Sequence, residues 1–425
     1  MLIDKLKQQL SGQFIRNVGW LGGAELANRV FRLGTTITLA HLLNPYDYGL
    51  VAVVLTTNEF ATVFTLKAGI GSKVIQADEQ EIKVICDTSY WLNWILCSSI
   101  FVIQCIAAFP IAMFYGNNQV ILPICVAALV YLMLPMFMIQ SALIQRENRL
   151  NIAALCNVTQ SLIANFSTIA LALFGWGMWA VVLPIVLSTP VWIVISYMNH
   201  SWRPPKSFTL ERWQEITKFG KDILGVELLN KFRSNIDYLL IGRFLGINAL
   251  GIYYFAFNAG LGISLNVMSA VTSALFPHFC QVRGNFKQLK ERYFSSLKSI
   301  AMFTVPLIVL QSSLAPFYVP IVFGQKWVAA VPILITICLS ALPLAIYNPT
   351  YLLLNAIGKT HINLYWNLIY TVLFTISLLI AVQWGIFGVA VTVFICQVVT
   401  QPAFSIWAIR YFLAQNSPLL VVKKP

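Results

Sequence analysis

Long apolar runs alternate with short polar breaks along the chain, and the runs approach the ~20 residues a helix needs to cross a bilayer. Read between polar or Pro/Gly interruptions, the first half predicts helices near residues 17–41, 47–66, 89–113, 119–143, 152–174 and 177–198. The second half predicts them near 219–243, 250–276, 295–317, 328–354, 361–382 and 386–410. Connections such as Asn44-Pro45-Tyr46 and Gly175-Trp176-Gly177 are short enough to require antiparallel neighbours. The alternating ten-residue strands of an outer-membrane barrel are missing from the pattern. The expected fold is therefore all-α and integral to a membrane, with about 12 transmembrane helices.

The longest polar stretch, Asn199 to Lys218 with Pro204-Pro205, divides these helices into two sets of six. The expected organisation is a six-helix lobe over 1–198, a cytoplasmic linker over 199–218, a second six-helix lobe over 219–412 and a cytoplasmic tail over 413–425. The first 13 residues, with Asp4, Lys5, Lys7 and three Gln, lack the apolar core of a signal peptide. They read as a short amphipathic helix on the membrane surface.

The two halves repeat one another. Gly23-Ala24-Glu25-Leu26-Ala27-Asn28-Arg29 recurs as Gly225-Val226-Glu227-Leu228-Leu229-Asn230-Lys231, displaced by 202 residues. Trp176-Gly177-Met178-Trp179 recurs as Trp384-Gly385-Ile386-Phe387 at a displacement of 208. Both halves begin on the same side, so the repeats are parallel and related by an axis along the membrane normal.

Composition agrees, and charge orients the chain. It is 58% hydrophobic and 10% charged, where a soluble protein carries about 25% charge. Of its 28 Lys and Arg, 22 fall in the N-terminus, the even-numbered loops and the C-terminus, counting with each loop the helix ends that adjoin it. Two, Arg243 and Lys326, fall in or beside odd-numbered loops on the same count, and four (Arg29, Arg32, Lys231, Arg233) lie deeper within spans. Basic loops stay in the cytoplasm, so both termini are expected there. The same distribution explains the net charge of +13 without a nucleic-acid partner.

The charges inside the membrane are the candidate chemistry, because an ionisable residue there is costly and so implies function. Glu25, Arg29 and Arg32 share one face of the first helix at i, i+4, i+7. On the seventh, Glu227 and Lys231 form one i, i+4 pair and Arg233 and Asp237 a second. Glu59 stands on the second helix beside Asn58, roughly level with Glu25. Four bases meet four acids, so these residues either pair with one another to fix helix packing or serve transport. Arg32 has no acid at i±3 or i±4 and is the best placed to grip an anion, since guanidinium matches phosphate oxygens.

Other features exclude more than they imply. The eight cysteines are scattered, without CxxC or Cys/His groupings, so metal and redox roles are not expected. No GxxxxGK[ST] occurs, and no Ser/His/Asp grouping presents itself. The chain is not expected to be an enzyme, and no cofactor is implied beyond H+ or Na+ as a coupling ion. Intramembrane prolines, among them Pro110, Pro135, Pro306 and Pro349, are expected to kink their helices.

The run Leu39-Ala40-His41-Leu42-Leu43-Asn44-Pro45-Tyr46-Asp47-Tyr48-Gly49-Leu50 resembles a marker of the polysaccharide transporter family, the Wzx-type flippases of the MOP superfamily that also holds MATE exporters. His41 stands where a basic residue is usual. Ala68-Gly69-Ile70-Gly71-Ser72, Leu143 to Arg149, Phe276-Pro277 before the basic Arg283–Arg292 loop, and Asn355 to Lys359 are similar to further markers in the same order. The resemblance implies two MATE-like lobes around a central cavity that alternates between inward and outward access. It implies a polyprenyl-pyrophosphate-linked oligosaccharide, an O-antigen, capsule or exopolysaccharide unit, as cargo. A polysaccharide polymerase and a chain-length regulator would be partners in the same inner membrane. On this reading Arg29, Arg32, Lys231 and Arg233 bind pyrophosphate, and Glu25 and Glu59 couple transport to an ion gradient or membrane potential. A MATE-type drug/cation antiporter would share the fold but would favour isolated acids without an excess of bases. A membrane polymerase would carry a large periplasmic loop, and every odd loop here is short.

Overall fold

The structure, a computed structural model, describes Asn28, residues 31–260, Met268, Thr272 and residues 275–415. All regular elements among them are helical. The amphipathic N-terminus, Glu25, Arg29 and most of the tail lie outside the described residues. Six helical stretches are long and apolar enough to cross a membrane, and a bent pair, Asn118–Met133 with Pro135–Arg146, makes a seventh. The last stretch, Thr360–Leu413, holds 54 residues. At ~1.5 Å per residue it would reach ~80 Å, well beyond a ~30 Å hydrocarbon core. It is two spans, broken at a 3-10 turn over Val382–Trp384 and at Gly385, whose φ of +73° suits glycine.

By contacts the chain divides between Phe232 and Arg233. The first unit contains α1 (31–42), α2 (Pro45–Val63), α3 (Lys67–Gln76), α4 (Ile82–Tyr115), α5 (Ile121–Met133), α6 (Pro135–Arg146), α7 (Leu150–Leu173), α8 (Trp179–Ser188) and α9 (Pro190–Asn199). Helix α10 (Trp213–Phe244) leads out of it. The second unit continues with α11 (Ile247–Ala259), α12 (Leu275–Cys280), α13 (Phe286–Tyr318), α14 (Val331–Leu339), α15 (Ala341–Ala356), α16 (Thr360–Ala381) and α17 (Gly385–Gln415).

The duplication is visible in which helices touch. In the first unit α5 packs on α2, α4 and α8, and α7 packs on α8. In the second, α14 packs on α11, α13 and α17, and α16 packs on α17. Both fourth spans break at corresponding places, after Leu134 and at Ser340. The first break has a clear cause, for Pro135 has no amide hydrogen and its ring crowds the preceding turn, and the two pieces are bent by 51°.

Several helices are longer than their apolar runs. Helix α13 begins at Phe286 rather than 295 because Asn285 caps it, its side chain accepting from the Gln288 amide at 3.1 Å. Helix α10 likewise begins at Trp213, before the apolar run at 219. The Pro45–Leu50 marker proves to be a helix start. Asn44 caps α2 by accepting from the Asp47 amide at 2.8 Å, and Pro45 occupies the first turn. Gly177, at φ +51°, lets the turn before α8 approach Asp47; a Cβ there would sit 3.1 Å from Asp47 Oδ1.

The polar linker is strapped to the first unit. Trp91 Nε1 donates to the Ser207 carbonyl at 2.9 Å, and the Thr88 hydroxyl donates to that of Glu211 at 2.7 Å. Arg212 pairs with Glu81 at 2.7 Å and with Glu215 at 3.0 Å, and Lys73 also pairs with Glu215. Ile216, fully buried, then packs among Leu66, Ile70 and Leu92. Lys73, foremost through its hydrogen bond, holds the Glu215 carboxyl below the usual carboxylate range.

Candidate functional site

In the first unit the described charges expected within the membrane are a pair, a single cation and the carboxylate of Glu227. Lys231 donates to Glu59 Oε2 at 2.9 Å, both side chains remaining about half exposed at 41% and 48%. This replaces the expected i, i+4 pair with Glu227, which is half-buried on the same helix. Glu59 is held in place from behind. The buried Tyr131 hydroxyl reaches the Asn58 side chain at 2.7 Å and the Asn58 carbonyl at 2.9 Å, fixing the helical turn that presents Glu59. Arg32 is exposed, and among the described residues its guanidinium has no hydrogen bond or ion pair.

A polar ladder on the fifth span backs the same helix as Arg32. The Ser161 hydroxyl donates to Asn28, Asn165 Nδ2 donates to Ser161 at 3.1 Å, and Thr35 lies 2.9 Å from Asn165 Oδ1. One turn away, Trp192 Nε1 donates to Gln160 at 2.7 Å. The ladder ties α1 to α7. Its sequence signal is the uncharged polar run Asn157, Ser161, Asn165 at i, i+4, i+8.

The second unit treats its charges differently. Arg233 and Asp237 do not pair with each other as their spacing predicts. Arg233 donates to Asn367, which also accepts from the Tyr347 hydroxyl at 3.2 Å. Asp237 is buried, accepting from the Tyr253 hydroxyl at 2.8 Å and from the Tyr238 amide at 2.9 Å. Two neighbouring helices thus offer neutral donors and acceptors of better geometry than the i, i+4 partner. Around this group runs an aromatic stack, Trp366 on Phe404 at 4.6 Å and Phe404 on Trp407 at 6.0 Å, with Trp407 half exposed. Among the described residues, the buried Trp366 Nε1, Gln401 Oε1 and Ser405 hydroxyl next to it find no hydrogen-bond partner.

None of the eight cysteines forms a disulfide, and no group of metal-ligating side chains occurs among the described residues. What the arrangement offers is cation, carboxylate and amide groups on neighbouring helices. That chemistry suits binding and release of a polar, anionic group.

Residues 38–332 match a family described as polysaccharide biosynthesis proteins, well over half of the chain. The chain belongs to that family. A teichuronic acid biosynthesis protein, TuaB of Bacillus subtilis, is 28% identical over 367 residues, covering 84% of this chain and 74% of that one. The fold matches a solved lipid II flippase, MurJ, in an inward closed conformation, with a TM-score of 0.76 at 13% identity over 92% of this chain and 87% of that one. It also matches a multidrug resistance MATE transporter of the MOP superfamily, inward-facing, with a TM-score of 0.70 at 17% identity over 92% and 96%. The polysaccharide family member therefore has the MOP-superfamily transporter fold and is a multi-pass membrane protein, as its sequence leads one to expect.

Proposed function

We propose that the chain is a flippase that carries polyprenyl-pyrophosphate-linked oligosaccharide units across the inner membrane, from the cytoplasmic to the periplasmic leaflet, by alternating access. The family match over residues 38–332 carries this reading, because a flippase and a drug exporter have the same fold and it is the family, with relatives such as TuaB, that ties this chain to polysaccharide assembly. The intramembrane bases support it. A diphosphate needs cations, and Arg32 is an exposed one whose planar donors match phosphate oxygens bidentately. Lys231 is held by Glu59 in a half-exposed pair that an incoming anion can exchange without stranding a buried charge. Arg29 and Arg233 are further candidate cations for the diphosphate.

Drive comes from an ion gradient or the membrane potential, with H+ or Na+ as the coupling ion and Glu25 and Glu59 as coupling groups; Glu227 and Asp237 serve as scaffold. Both termini lie in the cytoplasm, and a polymerase and chain-length regulator act beside it on the flipped unit. The deciding experiment is complementation of a host lacking its own flippase. Wild type is expected to restore surface polysaccharide, and Arg32→Ala to lose it at unchanged protein level. Full polymer from Arg32→Ala would remove Arg32 from the grip, and failure of the wild type with several cargo types would remove the function itself.

A further inference from the structure

The two units end their fourth spans in the same turn but finish it differently. In the first, the Asn148 amide donates to the Gln145 carbonyl at 3.0 Å and the Arg149 amide to that of Ile144 at 3.0 Å, with Asn148 at φ +56°. In the second, Gly358 donates to Asn355 at 3.1 Å and Lys359 to Leu354 at 2.8 Å, with Gly358 at φ +76°. The displacement is 210 residues, so Ala356 stands where the first unit has Arg146. In each unit a short helix packs on the end of this span, α3 on α6 and α12 on α15.

Arg146 closes its side of the repeat. Its guanidinium donates to the carbonyls of Val74, Ile75 and Ala77, capping the end of α3. Ala356 has no side chain to do this, and Arg292 covers part of the loss by donating to the His278 carbonyl at 2.7 Å. What remains is a half-open cavity of about 690 Å³, within the usual size of small-molecule sites. Phe276, Phe286 and Phe412 give it apolar walls, and Arg283 and Lys359 give it charge. Neither of those two side chains forms a hydrogen bond or ion pair among the described residues. Lys287, Lys290 and Arg292 follow on the next helix with a single acid, Glu291.

We propose that this cavity binds the phosphate head group of an anionic phospholipid, with Arg283 and Lys359 on the phosphate and the start of an acyl chain along Phe276 and Phe412. Two cations without an acid partner favour an anion, and aromatic walls on the basic-loop face favour one attached to a hydrocarbon chain. A soluble phosphate would satisfy the cations but leave the walls wet. The site shares no residue with the proposed cargo grip, so its failure would leave the flippase reading standing.

The test uses the full-length chain in neutral detergent, with lipid binding followed by native mass spectrometry. Phosphatidylglycerol is expected to stay bound where phosphatidylcholine does not. Arg283→Ala with Lys359→Ala is expected to weaken that binding at least about tenfold. Ala356→Arg, which supplies the first unit's side chain, should abolish it with an unchanged melting temperature, while Lys287→Ala should bind as wild type. Equal binding of the two lipids, or wild-type affinity in the double variant, overturns the proposal. Displacement of phosphatidylglycerol by equimolar inorganic phosphate also overturns it, marking a free-anion site. Should Ala356→Arg melt early, the double variant decides alone.

Discussion

The charges that the sequence places within the membrane meet opposite treatment in the two units. Lys231 and Glu59 pair with each other while half exposed, whereas Asp237 is buried and answered by the Tyr253 hydroxyl and a backbone amide. A half-exposed pair contributes little to stability and is easily exchanged for another ion. A buried carboxylate is tolerable only while its hydrogen bonds are kept. The lesson is that an intramembrane charge indicates a site only when its partner can be released. The first arrangement fits a working site and the second a fastening of α10 to α11.

The comparison breaks most sharply at Asp237. Asp237→Ala strands the Tyr253 hydroxyl and is expected to cost about 2–3 kcal/mol, seen as a lower melting temperature and yield. Asp237→Asn, which keeps an acceptor, should cost less. An unchanged melting temperature with transport lost would move Asp237 from scaffold to cargo site. Next in size is Asn165→Ala in the ladder between α1 and α7, expected to lose about 1 kcal/mol for its hydrogen bonds. Because the ladder sets the helix that bears Arg32, export should fall with it. Unaffected export would make the ladder packing alone.

Glu59→Gln should change stability by less than about 1 kcal/mol, since both members of its pair are half exposed. Its transport should lose its dependence on the proton gradient, and retention of that dependence in vesicles would sever Glu59 from coupling. The smallest effect lies in the linker. Glu215 is held below the usual carboxylate range, so its contribution is full above that range and is lost as pH falls through the lowered value. Protease cleavage of the linker should therefore rise on acidification. Glu215→Gln should show the raised cleavage already at neutral pH, and a pH response that persists in it would assign the effect to another group.

Much of this was legible in the sequence, and what was hidden follows a physical rule. Apolar runs and basic loops predict the helices and the duplication, because the bilayer imposes length and sidedness directly. Helix ends were harder: α13 and α10 begin in polar sequence, where Asn285 or a strapped linker decides. The partners of the charges were least legible. Spacing along one helix pairs Glu227 with Lys231 and Arg233 with Asp237, but Glu59, Asn367 and Tyr253 come from other helices and win on geometry. Neutral groups such as Asn165, Ser161 and Tyr131 carry no charge to draw attention, although the i, i+4, i+8 stripe on α7 was there to be read. Ala356 becomes informative only beside Arg146, once the turns are superposed by their hydrogen bonds.

The central claim, that this protein moves a lipid-linked oligosaccharide and not a drug cation, is tested most directly in reconstituted vesicles. The protein would be incorporated with a fluorescent polyprenyl-pyrophosphate oligosaccharide, and leaflet exchange followed by quenching from outside while a cationic dye is tracked in parallel. Exchange of the lipid-linked sugar, abolished by Arg32→Ala, is expected, with no movement of the dye. Dye export down a proton gradient, with the labelled lipid held in its leaflet, would contradict it.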